Sequence, residues 1–372
     1  MDNVKTAWTE IHDLKNLVSP YRTYLCELKE HVRSGTPILM YGQGEYARIV
    51  TASLASNGIS VQGFFADPGY DCSPAAASFE QTFSNFGRPV VVVLGFLSRS
   101  SIDVKISRLD RGEGRVLKYY DFGFPYPYGP AFIDNEFIQR HEQELQAVYN
   151  LLEDDLSRKV MFAFLRSKIL NDPTPLGEVF TDRQYFPEDI FCFSDHEVVV
   201  DGGAFTGDTL LRYLHEAKPC FASYHAFEPD AKNWMVLQQT VEELGAKNVH
   251  LVHKGLLDRA ARLHFATGGN TSRLQESGGL MIETVALDEA VPNASFIKLD
   301  IEGCEAQALE GARRTIQTNK PKLAICVYHS CQDIFEIPLL VKRLHPGYRM
   351  FLRTHDREAT RECVLYATPS HS

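Results

Sequence analysis

The chain of 372 residues carries 38 basic and 48 acidic side chains, a net charge of −10, with 44% hydrophobic and 23% charged residues. That composition is ordinary for a soluble globular protein of two or three domains, and no run of four Lys or Arg offers the stripe a nucleic-acid backbone requires. No apolar run approaches the roughly 18 residues of a membrane span, and the first residues (MDNVKTAWTEIHDLK) hold no signal core, so a cytoplasmic protein is expected. The eight cysteines contain no Cys-x-x-Cys pair, which fits reduced thiols and no zinc site; several stand in apolar runs (ICVYH, FCF, ECVLYA), where a free thiol packs as a small hydrophobe.

Residues 1–36 read as helical, with Trp8, Ile11, Leu14, Leu17, Tyr21, Tyr24, Leu25 and Leu28 near helical spacing. A short apolar run, Ile38 to Tyr41, leads into Gly42-Gln43-Gly44-Glu45-Tyr46-Ala47 and a helical stretch to Asn57. Further runs follow at Val61–Phe65 and Val90–Leu94. Runs alternating with helices indicate a small parallel α/β unit over residues 1–120, which looks truncated after its third strand. The glycine spacing is G-x-G-x-x-A, and Asp67 falls 23 residues beyond Gly44. This matches a dinucleotide fingerprint, with the acid placed for ribose hydroxyls. The same glycines also suit a plain strand-to-helix turn.

Residues 121–195 carry 6 basic and 14 acidic residues, most of the chain's negative excess. An aromatic, turn-rich stretch (Tyr119 to Phe132) precedes a long helical segment, Asn135 to Leu170, broken by Asp172-Pro173-Thr174-Pro175. This is a mainly helical connector, either a solvated acidic face or a lid.

From residue 196 the alternation strengthens. Strands are expected at 197–201, 223–228, 249–254, 296–300, 322–328, 348–353 and 362–367, with helical patterns between the first five. The stretch between the last two, Thr354 to Arg361, is too short for a crossover, so they pair antiparallel. Five alternating units and a terminal antiparallel hairpin describe a Rossmann-like methyltransferase fold over 196–372.

Three strand ends carry the chemistry. The first is Asp201-Gly202-Gly203-Ala204-Phe205-Thr206-Gly207-Asp208-Thr209, an acid and a glycine loop opening a helix. Glycine lets the backbone approach a ligand, and Asp208, standing where a phosphate loop has lysine, favours a cationic ligand whose ammonium Asp201 would face. The second is Glu228-Pro229, 27 residues after Asp201, where a carboxylate can accept from two ribose hydroxyls. Together they favour S-adenosylmethionine over NAD, with an adenine edge near Gly255 and Leu256. The third is Lys298-Leu299-Asp300-Ile301-Glu302-Gly303-Cys304-Glu305, followed at the next strand end by His329, a candidate general base or a loop histidine held by backbone. Acids at a helix start are favoured by its dipole, which accounts for Glu305 without chemistry. Arg353 and His355 are weaker candidates. The Asn/Asp-Pro-Pro-Tyr/Phe signature of nitrogen methylation is absent.

With VVVDGGAFTGDT, AFEPD, TVALDEA, FIKLDIEGCEAQALEGA and ECVLYA in this order, residues 197–367 resemble the FkbM family of S-adenosylmethionine-dependent methyltransferases, with IKLDIEGCE the most specific part. NLLEDDLSRKV, QYFPEDI and MYGQGEYARIV resemble its multidomain bacterial members. The resemblance implies methylation of hydroxyl groups of sugars, in polysaccharide or secondary-metabolite pathways. It maps Asp201, Gly203, Glu228 and Asp288 to cofactor or adjacent motif positions, Asp300, Glu302 and His329 to the acceptor cleft, and Ser272 to a loop near the cofactor's methionine end. Many members have a bulkier residue where Gly203 stands, and here the loop is expected to gain flexibility.

An O-methyltransferase acting on a small-molecule or glycan acceptor is therefore expected, with Asp300, Glu302 and His329 supplying a base or Asp300 and Glu302 holding Mg²⁺. The alternative is an NAD-dependent sugar-modifying enzyme using Gly42, Gly44 and Asp67, weakened by the absence of any Tyr-x-x-x-Lys. A docking role for the N-terminal unit, including self-association into a homo-oligomer, is compatible with the first reading.

Overall fold

The computed structural model describes residues 12–67, 77–96, 102–123, 132–217, 220–266, 273–275 and 280–370. They divide into two compact units, residues 12–140 with 165–173, and residues 141–164 with 174–370.

In the first unit, α1 (Pro20–Ser34) starts where Ser19 caps it, its hydroxyl accepting from the Tyr21 N–H, and stops at Gly35, whose φ of 73° ends the helix. The cap and Pro20 therefore interrupt the single helix expected over 1–36, whose first eleven residues lie outside the described chain. The unit continues through β1 (Ile38–Tyr41), α2 (Glu45–Ser56), β2 (Gly63–Phe65), α3 (Phe79–Ser84), β3 (Val90–Leu94), α4 (Ile102–Asp110), β4 (Val116–Tyr120) and α5 (Asn135–Arg140). Its sheet is fully parallel in the order β2-β1-β3-β4. Ile38, Met40, Val91 and Val93 pack on one face with Leu28, Val50 and Leu54, while Leu39, Tyr41, Val90 and Val92 pack on the other with Phe79 and Ile102. Helices on both faces explain why β1 and β3 are apolar without alternation. The unit is not truncated after three strands. β4 is an edge strand with Leu117 and Lys118 exposed, so it lacks the apolar run that marks its neighbours.

In the second unit, α6 (Glu142–Leu151) and α7 (Asp155–Leu170, its last turn counting with the first unit) are separated at Leu152, so the helix expected from Asn135 to Leu170 is three helices. Asp154 makes the break, capping α7 by accepting from the Ser157 N–H and hydroxyl. A short α8 (Thr174–Gly177) leads to β5 (Val198–Gly202), α9 (Asp208–Arg212) with a π turn, β6 (Ser223–Phe227), α10 (Ala231–Leu244) and β7 (Val249–Val252). After an insertion come β12 (Phe296–Leu299), α12 (Glu305–Glu310), α13 (Arg313–Asn319), β13 (Lys322–Cys326), α14 (Asp333–Leu344), β14 (Tyr348–Thr354) and β15 (Cys363–Pro369). The main sheet runs β14-β15-β13-β12-β5-β6-β7, parallel except for β15, as expected for a Rossmann-like methyltransferase.

The insertion corrects one expectation. Instead of a helix between β7 and β12, a second sheet forms from β8 (Gly255–Leu257), β9 (Ala261–Ala266), β10 (Arg273–Gln275) and β11 (Leu280–Ala286), ordered β10-β9-β11-β8, followed by the single turn α11 (Leu287–Ala290). Arg262-Leu263-His264 alternates polar and apolar, and burial alternates from Met281 to Thr284, both with a strand period. Of the cysteines in apolar runs, Cys326 and Cys363 are buried, but Cys192 is exposed between inward-turning phenylalanines. No helix among the described residues is long and apolar enough to cross a membrane.

Candidate active site

The carboxyl ends of parallel strands leave a crevice where the sheet's order reverses, here between β5 and β12. At β5, the N–H groups of Gly203 and Ala204 both donate to the Phe227 carbonyl, folding the loop back onto β6. Gly203 has φ 74°, and a Cβ there would lie 2.0 Å from the Asp300 carbonyl oxygen. Glycine is thus obligatory at 203: it lets the β5 loop touch the β12 loop, and flexibility is not what it provides. Gly202 is less tightly confined, by the side-chain ends of Leu299 and Leu256, and Gly207 (φ 94°) precedes α9. Ala204 and Thr209 are buried, Asp208 is exposed, and the Thr206 carbonyl accepts from Thr240.

Asp201 is fully buried. Its Oδ1 lies 2.9 Å from Lys298 Nζ and its Oδ2 accepts from Tyr224 at 2.8 Å, so both oxygens already have protein partners. Lys298 also donates to the carbonyls of Gly202 (3.1 Å) and Gly203 (2.7 Å). Burial opposes its charge, but Asp201 and Asp300 outweigh burial and hold the ammonium's pKa above its usual value. The residue reading missed Lys298, although a lone lysine inside the apolar strand Phe296–Leu299 is a legible sign of a buried partner.

Glu228 is 5% exposed and joins two loops, Oε2 accepting from the Phe205 N–H (2.9 Å) and Oε1 from the Asp230 N–H (2.8 Å). Burial pushes it up to about 7. Pro229 lies against Gly255 at the start of β8, and Leu256 is buried. Asp288 caps α13, accepting from the Arg314 and Thr315 N–H groups. Ser272 lies outside the described residues.

Beyond β12, Asp300 accepts from Tyr185 (2.8 Å) on Oδ2 and from Tyr328 (3.2 Å) on Oδ1. His329, 4% exposed, sets Nε2 at 3.4 Å from Asp300 and 3.6 Å from Glu302, and Nδ1 at 3.1 Å from the buried Glu305. The three predicted residues thus meet in one cluster, with Glu305 behind them. Burial works against a charged imidazole, yet Glu305, Glu302 and Asp300 raise His329 well above its ordinary value. Burial raises Asp300 too, but His329 and Lys298 bring it below the usual carboxylate range. Glu302, a third exposed and in the left-handed region at φ 58°, is pushed up to about 8 by burial and its neighbouring acids. A non-glycine residue held there is a strained position of the kind that collects at functional sites.

Asp300, Glu305 and His329 bring ligand atoms within 4.8 Å of one another, the one such group among the described residues. The set does not fit Mg²⁺, which wants oxygen donors and keeps several waters. One donor is an imidazole with both nitrogens facing carboxylates, and Glu305 is 1% exposed with Oε1 accepting from the Ile301 N–H. Glu302, expected to hold Mg²⁺ with Asp300, is not part of this group, and the Mg²⁺ is not carried further. Arg353 is buried between Asp154 and Asp189, and His355 bridges the Thr181 carbonyl and Tyr366; both are structural here.

In the first unit, one glycine of the fingerprint, Gly42, serves packing. A Cβ on Gly42 would lie 2.9 Å from the Gly95 carbonyl oxygen, and one on Gly95 would lie 2.5 Å from Ala47 Cβ. Asp67 accepts from Tyr41 and pairs with Lys105 at 3.1 Å, and Gly44 has open space around it.

The chain matches no curated protein. Among solved structures it is similar to a methyltransferase FkbM from Methylobacillus flagellatus KT, at 21% identity and TM-score 0.68 over 98% of both chains, a likeness of fold. An rRNA methylase from Streptococcus thermophilus (14%, TM-score 0.32, 48% of this chain and 89% of that one) and a precorrin-6y C5,15-methyltransferase from Geobacter metallireducens GS-15 (14%, 0.32, 48% and 82%) also match. Residues 201–359 match the methyltransferase FkbM domain, spanning the glycine loop, Glu228 and the Asp300 cluster. The segment that carries the candidate site is thus a methyltransferase FkbM domain, that of an S-adenosylmethionine-dependent methyltransferase.

Proposed function

We propose that the chain transfers a methyl group to a hydroxyl oxygen, that of a sugar in a glycan or small molecule, with Glu302 taking the hydroxyl proton. The observation that carries this reading is the cluster of Asp300, Glu302 and His329 beside the glycine loop, at the carboxyl ends of β12 and β13. Bound S-adenosylmethionine supplies an electrophilic methyl group. The loop Gly202–Ala204, folded onto the β12 turn by its glycines, would lie along it, and Glu228 would accept hydrogen bonds from its ribose hydroxyls.

The acceptor hydroxyl is oriented by the anionic Asp300, and its proton passes to Glu302. An imidazolium whose two N–H groups face carboxylates is not free to take a proton, so His329 fixes the acids and Glu302 is the base. A base whose pKa lies near the working pH is best matched to this task. Self-association through the N-terminal unit remains compatible with this reading.

The test uses deuterated-methyl S-adenosylmethionine with a panel of methyl glycosides and nucleotide sugars, the product read by mass and NMR. A methyl ether is expected. Glu302→Gln should lower kcat by about a hundredfold or more while S-adenosylhomocysteine affinity stays within about twofold. Methyl found on nitrogen, or a Glu302→Gln variant with full activity, overturns the reading.

A further inference from the structure

We propose that Tyr185, from the segment between α8 and β5, is a positioning residue that aims Asp300 at the acceptor; the inference rests on the acceptor-site reading above. Tyr185 is 5% exposed and stands at φ 71°, a left-handed conformation unusual for a bulky side chain. That conformation is enforced from outside. Its N–H donates to Tyr366 Oη (2.8 Å), Tyr366 Oη meets His355 Nε2 (2.8 Å), and His355 Nδ1 faces the Thr181 carbonyl (2.8 Å). On either side the segment is anchored by Thr181, whose N–H donates to the Thr354 carbonyl, and by Phe186, packed on Phe296 and Tyr213.

What this scaffold delivers is a hydroxyl and a ring. The hydroxyl donates to Asp300 Oδ2 at 2.8 Å, and the ring lies 5.2 Å from Lys298 Nζ, the lysine that clamps the glycine loop. Backbone strain held where two charged site residues are touched at once is explained by positioning. The groups facing Asp300 are Lys298 from β12, Glu302 and Glu305 from its own turn, Cys326 from β13, Tyr328 and His329 beyond it, Glu362 from the β14–β15 hairpin, and Tyr185. Tyr185 and Tyr328 are the neutral hydroxyl donors among them, and Tyr185 makes the shorter bond.

The experiment titrates the ¹³C carboxyl resonance of Asp300 in the full chain, assigned by its loss in Asp300→Asn. Tyr185→Phe keeps the ring over Lys298 and removes one donor to the carboxylate, so the midpoint should rise by about one pH unit. Tyr185→3-fluorotyrosine, a stronger donor of nearly the same shape, should move it downward. Tyr348→Phe, which loses a buried hydroxyl bond to the Pro321 carbonyl before β13, should leave it unchanged. A midpoint unmoved in both Tyr185 variants makes Tyr185 a packing residue and overturns the proposal. Sugar methylation unaffected in Asp300→Asn would instead remove the acceptor-site reading, a failure the titration keeps separate.

Discussion

Replacing Lys298 by methionine removes one ammonium from a place where nothing else can substitute for it. Lys298 and Asp201 are 2% and 0% exposed and 2.9 Å apart. At an effective dielectric of about 20, that separation corresponds to about 6 kcal/mol of attraction, most of it offset by the desolvation of both charges. Removing a single partner leaves the desolvation of Asp201 uncompensated, so the expected cost is about 3–5 kcal/mol. The Tyr224 hydroxyl still donates to Oδ2 and holds the value toward the lower end. Urea unfolding followed by circular dichroism reads this directly. In the double variant Asp201→Asn/Lys298→Met, no buried charge is stranded, and its cost should fall below the sum of the single variants by about 2 kcal/mol or more. Affinity for S-adenosylhomocysteine should not recover with it, because the carbonyls of Gly202 and Gly203 still lack their donor. A single-variant cost under about 1 kcal/mol, or strictly additive single variants, would refute the argument.

Three further outcomes follow from the same geometry. Gly203→Ala forces a Cβ into the Asp300 carbonyl and should cost about 3 kcal/mol or more, whereas Gly245→Ala, at φ 57° with open space, should cost about 1 kcal/mol; thermal melts of both would expose a reversed order. His329 holds its proton more tightly folded than unfolded, so the stability it contributes is complete below its unfolded value near 6.5 and is lost as pH rises through its folded one; Glu302 (about 8) and Glu362 (about 7) also bind protons more tightly when folded. All three therefore make the urea midpoint fall between about pH 6 and about pH 8.5, with a shallower fall in Glu302→Gln, and a midpoint that rises over this range contradicts the cluster's electrostatics. Methyl transfer should survive dialysis against EDTA with its rate unchanged within about twofold, since the donor set suits Mg²⁺ poorly, and restoration of a lost rate by added Mg²⁺ would reverse that conclusion.

The strands of the main sheet were legible because they are buried on both faces: Val198–Gly202, Phe296–Leu299 and Lys322–Cys326 read as apolar runs that end at Asp201, Asp300 and His329. The second sheet was not, because β8 and β10 have three residues each and β8 pairs with β11, 29 residues further along the chain. Asp201, Glu228, Asp300, Glu302 and His329 could be found from strand ends alone. What each does could not: Asp201 turned out to hold a lysine, and His329 to sit among three acids. Tyr185 left no local trace, since its place depends on Tyr366 and Asp300, more than a hundred residues away.

The order of strands in the main sheet carries a consequence for how this chain is made. β15 lies between β13 and β14, although both are synthesised before it. Until residues 363–369 emerge, β14 has no ladder partner, and its Tyr348, Met350, Phe351 and Leu352 face whatever is nearby. Its outer edge is guarded earlier, by upstream backbone: the Glu153 N–H donates to the Met350 carbonyl and the Thr181 N–H to that of Thr354. These two contacts cover an otherwise open edge of the kind that seeds aggregation. During synthesis and refolding, then, the segments around Glu153 and Thr181 shield a half-built sheet, and lesions there should lower the yield of soluble protein before they lower the stability of what folds.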